Sequence, residues 1–159
     1  MTTATKFYLT RQGLREVQDE HERLLAFRNA KVQEEVPSTL HSEDINPDYL
    51  AFKEDMNMLE DKIVEVETII QNAALIAPPP KQERNMVHLG ATVVVEVDGA
   101  RDEFEIVGTV EANPSRGRIS NESPVGKLLL GAGIGDMVEV AFPIKTVYKI
   151  VEIMYKVKY

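Results

Sequence analysis

Any catalytic chemistry in this chain must depend on carboxylates, because the sequence lacks cysteine and holds only three scattered histidines. Thiol nucleophiles, disulfides and zinc-thiolate sites are excluded, and a cage of histidine ligands is not expected. Three acidic residues, Glu43, Asp44 and Asp48, lie close together around an Asn-Pro dipeptide. From the residues alone, the simpler interpretation is a solvated turn, since acidic side chains near a helix N-terminus are stabilised by the helix dipole.

The flanking residues predict that these acids lie at the end of a helical hairpin. Pro37 is expected to end a first helix, because proline disrupts a helix interior. Asn46 and Pro47 form a start signal for a second helix, with Asp48 facing its positive end. The hairpin would therefore carry an acidic tip near residues 38–48.

An apolar heptad pattern marks the second helix. Spacings of three and four alternate and charged residues fill the gaps, so this helix can bury only one stripe and needs a partner helix. The first helix carries a less regular stripe, and we expect the two to form an antiparallel coiled coil. The stripe residues are Tyr49, Phe52, Met56, Leu59, Ile63, Val66, Ile70 and Ala73 in the second helix, and Leu14, Val17, His21, Leu24 or Leu25, Val32 and Val36 in the first.

Basic residues along the first helix interrupt or flank its stripe. They are expected to be solvated or to pair with acidic neighbours one turn away on the same helix. The alternative is that some of them approach RNA or an acidic partner surface. The basic residues are Arg11, Arg15, Arg23, Arg28 and Lys31, and the acidic neighbours include Glu16, Asp19 and Glu20.

Charge and proline content divide the chain into two domains. The net charge of −8 disfavours direct binding to a nucleic acid backbone and favours a protein partner. Three prolines and a polar run form a linker over residues 78–85, between a hairpin domain at 1–77 and a second domain at 86–159. No apolar run reaches the roughly 20 residues that cross a bilayer, and the N-terminus lacks a signal-peptide core. A cytoplasmic protein without a membrane partner is expected.

β-Branched, partly alternating runs predict that the second domain is α+β. Asp98-Gly99 is typical of a hairpin turn, and Ser123-Pro124 is typical of a capped helix start, with the helix stopped at Gly131. We expect a largely antiparallel sheet that carries this one short helix. The predicted strands cover residues 92–97, 103–110, 118–120, 137–142 and 146–157.

The sequence resembles the bacterial Gre transcript cleavage factors. Residues 9–14, Leu-Thr-Arg-Gln-Gly-Leu, are similar to the opening motif of that family, and residues 89–93 with 104–108 are similar to the entry into its C-terminal domain. The most specific similarity runs from Ile119 to Gly131 and includes Ser-Pro-Val-Gly-Lys-Leu-Leu-Leu-Gly. The resemblance covers essentially the whole chain in order.

Membership in that family implies a partner, RNA polymerase. An FKBP-like C-terminal domain would dock on the rim of the polymerase secondary channel through the loop that holds Ser123, Pro124 and Gly126. The coiled coil would pass down the channel toward the 3′ end of the nascent RNA. The protein would be a monomeric accessory factor, inert alone and without a cofactor of its own, that stimulates RNA cleavage by the polymerase.

The resemblance also implies a role for the acidic tip. Asp44 would be a ligand of a magnesium ion shared with the polymerase active centre, and Glu43 or Asp48 would supply a second charge. Carboxylates are the hard ligands that magnesium prefers, and paired metal ions stabilise the attacking and leaving oxygens of a hydrolysis.

The tip departs from the family pattern, which usually reads Asp-Leu-x-Glu-Asn-Ala-Glu-Tyr. One register places Asp44 and Ile45 on the Asp-Leu pair, and the following residues then fit only if two residues are missing. An ungapped register puts Ser42 and Ile45 at the two acidic positions. Either way one acid is absent, so two hypotheses stay open: stimulation of cleavage, and binding that inhibits or modulates the polymerase without cleavage.

Two further classes of function compete with a polymerase factor. A prolyl isomerase needs an aromatic-lined pocket, but the chain has no tryptophan and its phenylalanines and tyrosines are thinly spread. An adaptor that dimerises through its coiled coil competes with closure of the hairpin within one chain, which the short connection between the two helices favours.

Overall fold

The computed structural model describes residues 4–34, 47–141 and 143–156. They contain two long helices and a five-stranded sheet with one short helix, which confirms the predicted α+β class. Two compact units are present, one spanning Arg15–Asn72 and the other formed by the residues before and after it. The sheet unit thus includes the start of the first helix, which the sequence analysis assigned to the hairpin domain.

The hairpin consists of α1, Arg11–Glu34, and α2, Pro47–Gln71, so α2 begins at the proline that the sequence indicates. All predicted stripe residues within α2 are buried or half-buried, and the most buried are Ile63 at 2% exposure and Val66 at 4%. By contrast, Val64 lies outside the stripe and is 58% exposed. The stripe of α2 is therefore confirmed.

Ion pairs between the two helices show that they run antiparallel. Moving seven residues forward along α1, from His21 to Arg28, is matched by moving seven residues back along α2, from Glu67 to Glu60. The pairs are His21 Nε2–Glu67 Oε1 at 2.9 Å, Arg28 Nη1–Glu60 Oε1 at 3.3 Å and Lys31 Nζ–Asp55 Oδ2 at 3.2 Å.

The stripe of α1 differs from the prediction near its C-terminal end. Val32 is 48% exposed, whereas Arg28 and Lys31 are half-buried. Long side chains can cover apolar surface with their aliphatic stems while their charged ends reach a partner. The ammonium of Lys31 lies 6.0 Å from the ring of Phe27 and 5.9 Å from that of Phe52, which adds cation–π attraction.

The prediction of ion pairs within α1 is wrong for Arg28 and Lys31, because their partners lie across the hairpin on α2. It is confirmed for Arg23, whose guanidinium lies 3.4 Å from the Glu20 carboxylate. Val36 lies outside the described residues.

The five-stranded sheet has the order β5-β4-β3-β7-β6. β4 and β5 pair in parallel and the other neighbours pair antiparallel, so the sheet is mixed rather than wholly antiparallel. Its interior is formed by apolar residues such as Val93, Ile106, Leu129 and Ile150. The strands are β3 Thr92–Val97, β4 Ala100–Val107, β5 Arg118–Ser120, β6 Met137–Val140 and β7 Thr146–Met154, and α3 covers Pro124–Leu129.

The predicted turn between β3 and β4 is confirmed. Asp98 has φ of 50° and Gly99 has φ of 79°, as in the two-residue turns whose twist matches a β-hairpin. The strand after the turn differs from the prediction, since β4 ends at Val107 rather than at residue 110. The backbone of Gly108 packs so closely on β1, Phe7–Leu9, that an added Cβ would lie 2.1 Å from the Tyr8 carbonyl oxygen. A 3₁₀ turn, Thr109–Glu111, then follows.

A second, two-stranded sheet was not predicted. β1 pairs in parallel with β2, Ala73–Leu75, and Leu9 at its end is fully buried. The backbone N–H of Ile76 donates to the Leu9 carbonyl at 2.8 Å. The last predicted stripe residue, Ala73, therefore belongs to this strand and not to α2. Among the described residues, no helix combines the length and apolarity that a bilayer span needs.

The start of α1 is capped by a carboxylate from a distant part of the chain. Thr10 is the N-cap, because the Gly13 N–H donates to Thr10 Oγ1 at 3.0 Å. In a capping box, a glutamate at the position of Gly13 would accept from the N-cap backbone N–H. Here Glu111 does so: the Thr10 N–H donates to Oε2 at 2.7 Å and the Thr10 hydroxyl donates to Oε1 at 2.6 Å.

Gly13 makes room for this carboxylate. A Cβ at Gly13 would lie 2.2 Å from Glu111 Cδ. Glu111 itself is 9% exposed, so its side chain has little space into which to move. We call Thr10, Gly13 and Glu111 the Glu111 clamp.

We predict that Ile63→Ala lowers the free energy of unfolding by about 2–5 kcal/mol, because it leaves a cavity in the hairpin stripe. The matched control Val64→Ala removes an exposed side chain one residue away and is expected to change stability by less than about 0.5 kcal/mol. Urea denaturation followed by helical circular dichroism measures both. Equal effects of the two variants would contradict the assignment of the stripe.

We also predict that Gly13→Ala changes the free energy of unfolding in the direction opposite to the usual one. Alanine normally stabilises a helix interior by about 1 kcal/mol relative to glycine. Here it is expected to destabilise by about 1 kcal/mol, because displacing Glu111 removes a cap and unpairs a buried carboxylate. On a Glu111→Ala background the displaced group is gone, so Gly13→Ala should stabilise. A four-variant denaturation cycle checks this reversal, and stabilisation in both backgrounds would count against the clamp.

Candidate functional site

The structure describes one of the three predicted tip carboxylates. Asp48 lies exposed in the first turn of α2, directly after Pro47. The positive end of the helix dipole stabilises a negative charge at this position. Glu43, Asp44 and the predicted N-cap Asn46 lie outside the described residues, so their roles stay predictions.

Connectivity fixes which end of the hairpin these acids belong to. α1 ends at Glu34 and α2 begins at Pro47, and residues 35–46 join them. Lys31 pairs with Asp55 at positions close in sequence to this connection. In the sequence, Glu43 and Asp44 thus belong to the connection, and Asp48 belongs to the first turn of α2.

Two basic residues of α1 pair with acids of α2. Arg28 faces Glu60 and Lys31 faces Asp55 across the helix pair. Arg28 and Lys31 would each have to lose a carboxylate partner before binding a phosphate. This counts against the alternative in which Arg28 or Lys31 approaches RNA.

A magnesium ion that would be shared with the polymerase is the metal that the family resemblance implies. Within residues 4–34, 47–141 and 143–156, no group of three or more histidine, aspartate or glutamate side chains is arranged to hold a metal ion. Magnesium usually takes only one or two protein carboxylates and completes its shell with water and phosphate oxygens. An exposed aspartate such as Asp48 suits that limited contribution.

The predicted docking loop has a well-defined internal structure. Ser123 is the N-cap of α3: its hydroxyl accepts from the Gly126 N–H at 3.0 Å and donates to the Ser120 carbonyl at 2.7 Å. Gly126 is buried, and a Cβ there would lie 2.0 Å from the Ser120 carbonyl oxygen. Ser123 and Gly126 thus set the shape of the loop. The exposed side chains in this region are those of Glu122, Pro124, Lys127 and Leu128.

A polar network that the sequence did not indicate supports this loop. The hydroxyl of Thr109 lies 2.9 Å from the Ser120 hydroxyl and donates to Glu122 Oε2 at 2.8 Å. The Glu122 N–H in turn donates to the Ser120 hydroxyl at 3.1 Å. Thr109 stands in the same 3₁₀ turn as Glu111. No local motif marks either residue, because each acts on a partner in another segment.

A cleft of about 330 Å³ in the sheet unit does not resemble an isomerase pocket. Tyr155 is the one aromatic side chain among its lining residues, and its hydroxyl is already engaged. This hydroxyl donates to the Met86 carbonyl at 2.5 Å and accepts from the His88 N–H at 2.9 Å. Burial raises the pKa of Tyr155, and the His88 hydrogen bond and the charge of Arg84 partly oppose that rise. A single engaged phenol makes a poor surface for stacking on proline.

Comparison with protein families agrees with this architecture. A family model described as "Transcription elongation factor, N-terminal" matches residues 7–75, and one described as "Transcription elongation factor, GreA/GreB, C-term" matches residues 81–155. Between them they span both the helical hairpin and the sheet.

Individual relatives match over most of their length. The transcription elongation factor GreA of Thermomicrobium roseum is 39% identical over 137 residues, which cover 85% of this chain and 88% of that relative. GreA of Acetivibrio thermocellus is 37% identical over 158 residues, which cover 96% of this chain and 99% of that relative. Among solved structures, the GreA factor homolog Gfh1 of Thermus thermophilus is 26% identical with a TM-score of 0.42, over 94% of this chain and 99% of that one. On the family models and the sequence relatives, the chain belongs to the GreA/GreB family of transcription elongation factors.

Proposed function

We propose that this protein binds RNA polymerase, inserts its helical hairpin into the secondary channel and stimulates cleavage of backtracked RNA. The observation that carries the proposal is the closed antiparallel hairpin, whose connecting segment contains Glu43 and Asp44 and is followed at once by Asp48. Membership in a family of transcription elongation factors supplies the partner class.

The dimensions of the hairpin suit a narrow pore. α1 has 24 residues and α2 has 25, so each is about 36 Å long at about 1.5 Å per residue. Two packed helices of about 10 Å diameter each give a rod about 20 Å across. The buried stripe and the ion pairs keep the two helices together as a stable rod.

The carboxylates of the tip would act on the polymerase active centre. Asp44 is the proposed ligand for a magnesium ion that the polymerase shares, and Glu43 or Asp48 provides a second negative charge. When bound, such an ion supplies Lewis-acid stabilisation to the attacking and leaving oxygens of RNA hydrolysis. The chain contributes oxygen ligands and negative charge, and the catalytic centre belongs to the polymerase.

The sheet unit would supply the docking surface, through the loop shaped by Ser123 and Gly126 and carrying Pro124. The protein would act in the cytoplasm as a monomer, because α1 already covers the apolar stripe of α2. A net charge of −8 fits binding to a protein rather than direct binding to nucleic acid.

The proposal predicts that the native protein accelerates RNA cleavage in stalled elongation complexes and that Asp44→Ala lowers this acceleration at least about tenfold, since it removes a direct magnesium ligand. Asp61→Ala, which removes an exposed carboxylate from the middle of α2, is the matched control and should act like the native protein. Cleavage of end-labelled RNA at saturating factor measures both.

Two results would contradict this proposal in different ways. Native protein that binds the polymerase without cleavage above the factor-free rate would favour the competing function, a channel occupant that modulates the enzyme. Native protein that neither binds nor changes cleavage would remove polymerase as the partner.

A further prediction addresses the docking loop. Ser123→Ala removes the N-cap of α3 and is expected to lower stability by about 1 kcal/mol. If the loop docks through its shape, this variant should also weaken polymerase binding by about five- to tenfold. Ser123→Thr keeps a capping hydroxyl and should bind within about twofold of the native protein. Binding of Ser123→Ala at native affinity would exclude the loop from the interface.

A further inference from the structure

We propose that Glu111 is a positioning residue for RNA cleavage, because its carboxylate holds the first turn of α1 in the sheet unit. This inference rests on the proposed function and adds a residue that touches neither RNA nor the metal. Glu111 lies 101 positions from Thr10 in the sequence, and no pattern in the sequence marks the contact.

The Glu111 clamp leaves neither carboxylate oxygen of Glu111 without a partner. Both carboxylate oxygens are engaged by Thr10, one by its backbone N–H at 2.7 Å and one by its hydroxyl at 2.6 Å. The same hydroxyl accepts from the Gly13 N–H, so Glu111, Thr10 and the first turn of α1 form one chain of hydrogen bonds. Two hydrogen bonds to one largely buried side chain hold it in a single position.

The clamp shares a 3₁₀ turn with the polar network beside the docking loop. The turn Thr109–Glu111 carries Glu111 at one end and Thr109 at the other, and Thr109 binds the side chains of Ser120 and Glu122. The three residues of this turn therefore link the side chains beside the proposed polymerase-binding loop to the N-cap of α1. All of these residues belong to the sheet unit.

The turn has little freedom to absorb a displacement. Gly108, directly before it, lies against the Tyr8 carbonyl so closely that only glycine fits. The Glu111 N–H donates back to the Gly108 carbonyl at 3.2 Å. A shift of the docking loop is thus expected to reach the cap of α1 rather than be lost in a flexible connection.

Cleavage should be more sensitive to this clamp than binding is. α1 is one helix from Arg11 to Glu34, so whatever holds its first turn also holds the start of the element that leads to the tip. Misplacement of a catalytic group by about 1 Å can lower a rate about a hundredfold. Affinity depends on the docking surface, which lies outside the clamp, so loss of the clamp should lower the cleavage rate at saturating factor and leave affinity nearly unchanged.

The experiment compares Glu111→Gln with Glu103→Gln in the full chain. Glutamine has the size of glutamate, but it lacks the negative charge, and its NH₂ group can pair with the Thr10 hydroxyl only if that hydroxyl stops donating to residue 111. Glu103 is an exposed carboxylate of the same unit, with a surface ion pair to Lys156 at 3.1 Å, and serves as the matched control. The measurements are amide hydrogen exchange at Thr10 and Gly13 in the free protein, polymerase affinity, and the cleavage rate at saturating factor.

Glu111→Gln is expected to speed exchange at the Thr10 and Gly13 amides about tenfold and to lower the saturated cleavage rate about tenfold. Affinity should stay within about threefold, and Glu103→Gln should match the native protein throughout. Unchanged exchange or an unchanged cleavage rate would overturn the positioning role. Equal losses of affinity and rate would also overturn it, since they would indicate general damage to the docking unit.

Gly13→Ala provides a second route to the same carboxylate if Glu111→Gln does not fold. It should lower the cleavage rate in the native background and have no further effect in Glu111→Ala. The two proposals fail in distinguishable ways. Native protein without binding or cleavage refutes the proposed function, and the exchange data still decide whether Glu111 holds the turn. Native protein that binds without promoting cleavage refutes the positioning role.

Discussion

The burial of one apolar stripe on α2 is the constraint on which the hairpin depends. Charged residues occupy the other faces of this helix, so it cannot be buried more fully and would not be stable in water alone. α1 covers the stripe with a mixture of apolar side chains and the stems of Arg28 and Lys31, whose charges are matched by acids of α2. Close packing of two helices and charge neutralisation across them are thus achieved by the same residues.

In the sheet unit, close approaches between backbone segments help to hold the elements together. Gly13, Gly108 and Gly126 each lie where a Cβ would collide with another segment. A helix cap or a turn lies beside each of them. The start of α1, the turn after β4 and the start of α3 are tied to one another by hydrogen bonds. Such contacts are directional, so they specify position more than they add stability.

Local patterns predicted much of this structure, and contacts between distant segments were missed. The spacing of three and four placed the stripe of α2 residue by residue, and Asp98-Gly99 predicted a turn that needs two positive φ values. The pairing of β1 with β2 and the capping role of Glu111 depend on partners more than sixty residues away, which no periodicity reveals. The sequence alone could not assign a partner to Arg28, because the side chain of a charged residue on a stripe can pair with an acid of its own helix or with an acid of the neighbouring helix. In the candidate site, Ser123 was predictable as a cap, while Asp44 stays a prediction.

The order of the large sheet has a consequence for how the protein behaves at high concentration. Its two outer strands are the shortest, with three residues in β5 and four in β6. An outer strand offers unpaired backbone groups to a second chain, and the number it offers grows with its length. The template that β5 and β6 themselves offer for strand-by-strand growth into aggregates is therefore short.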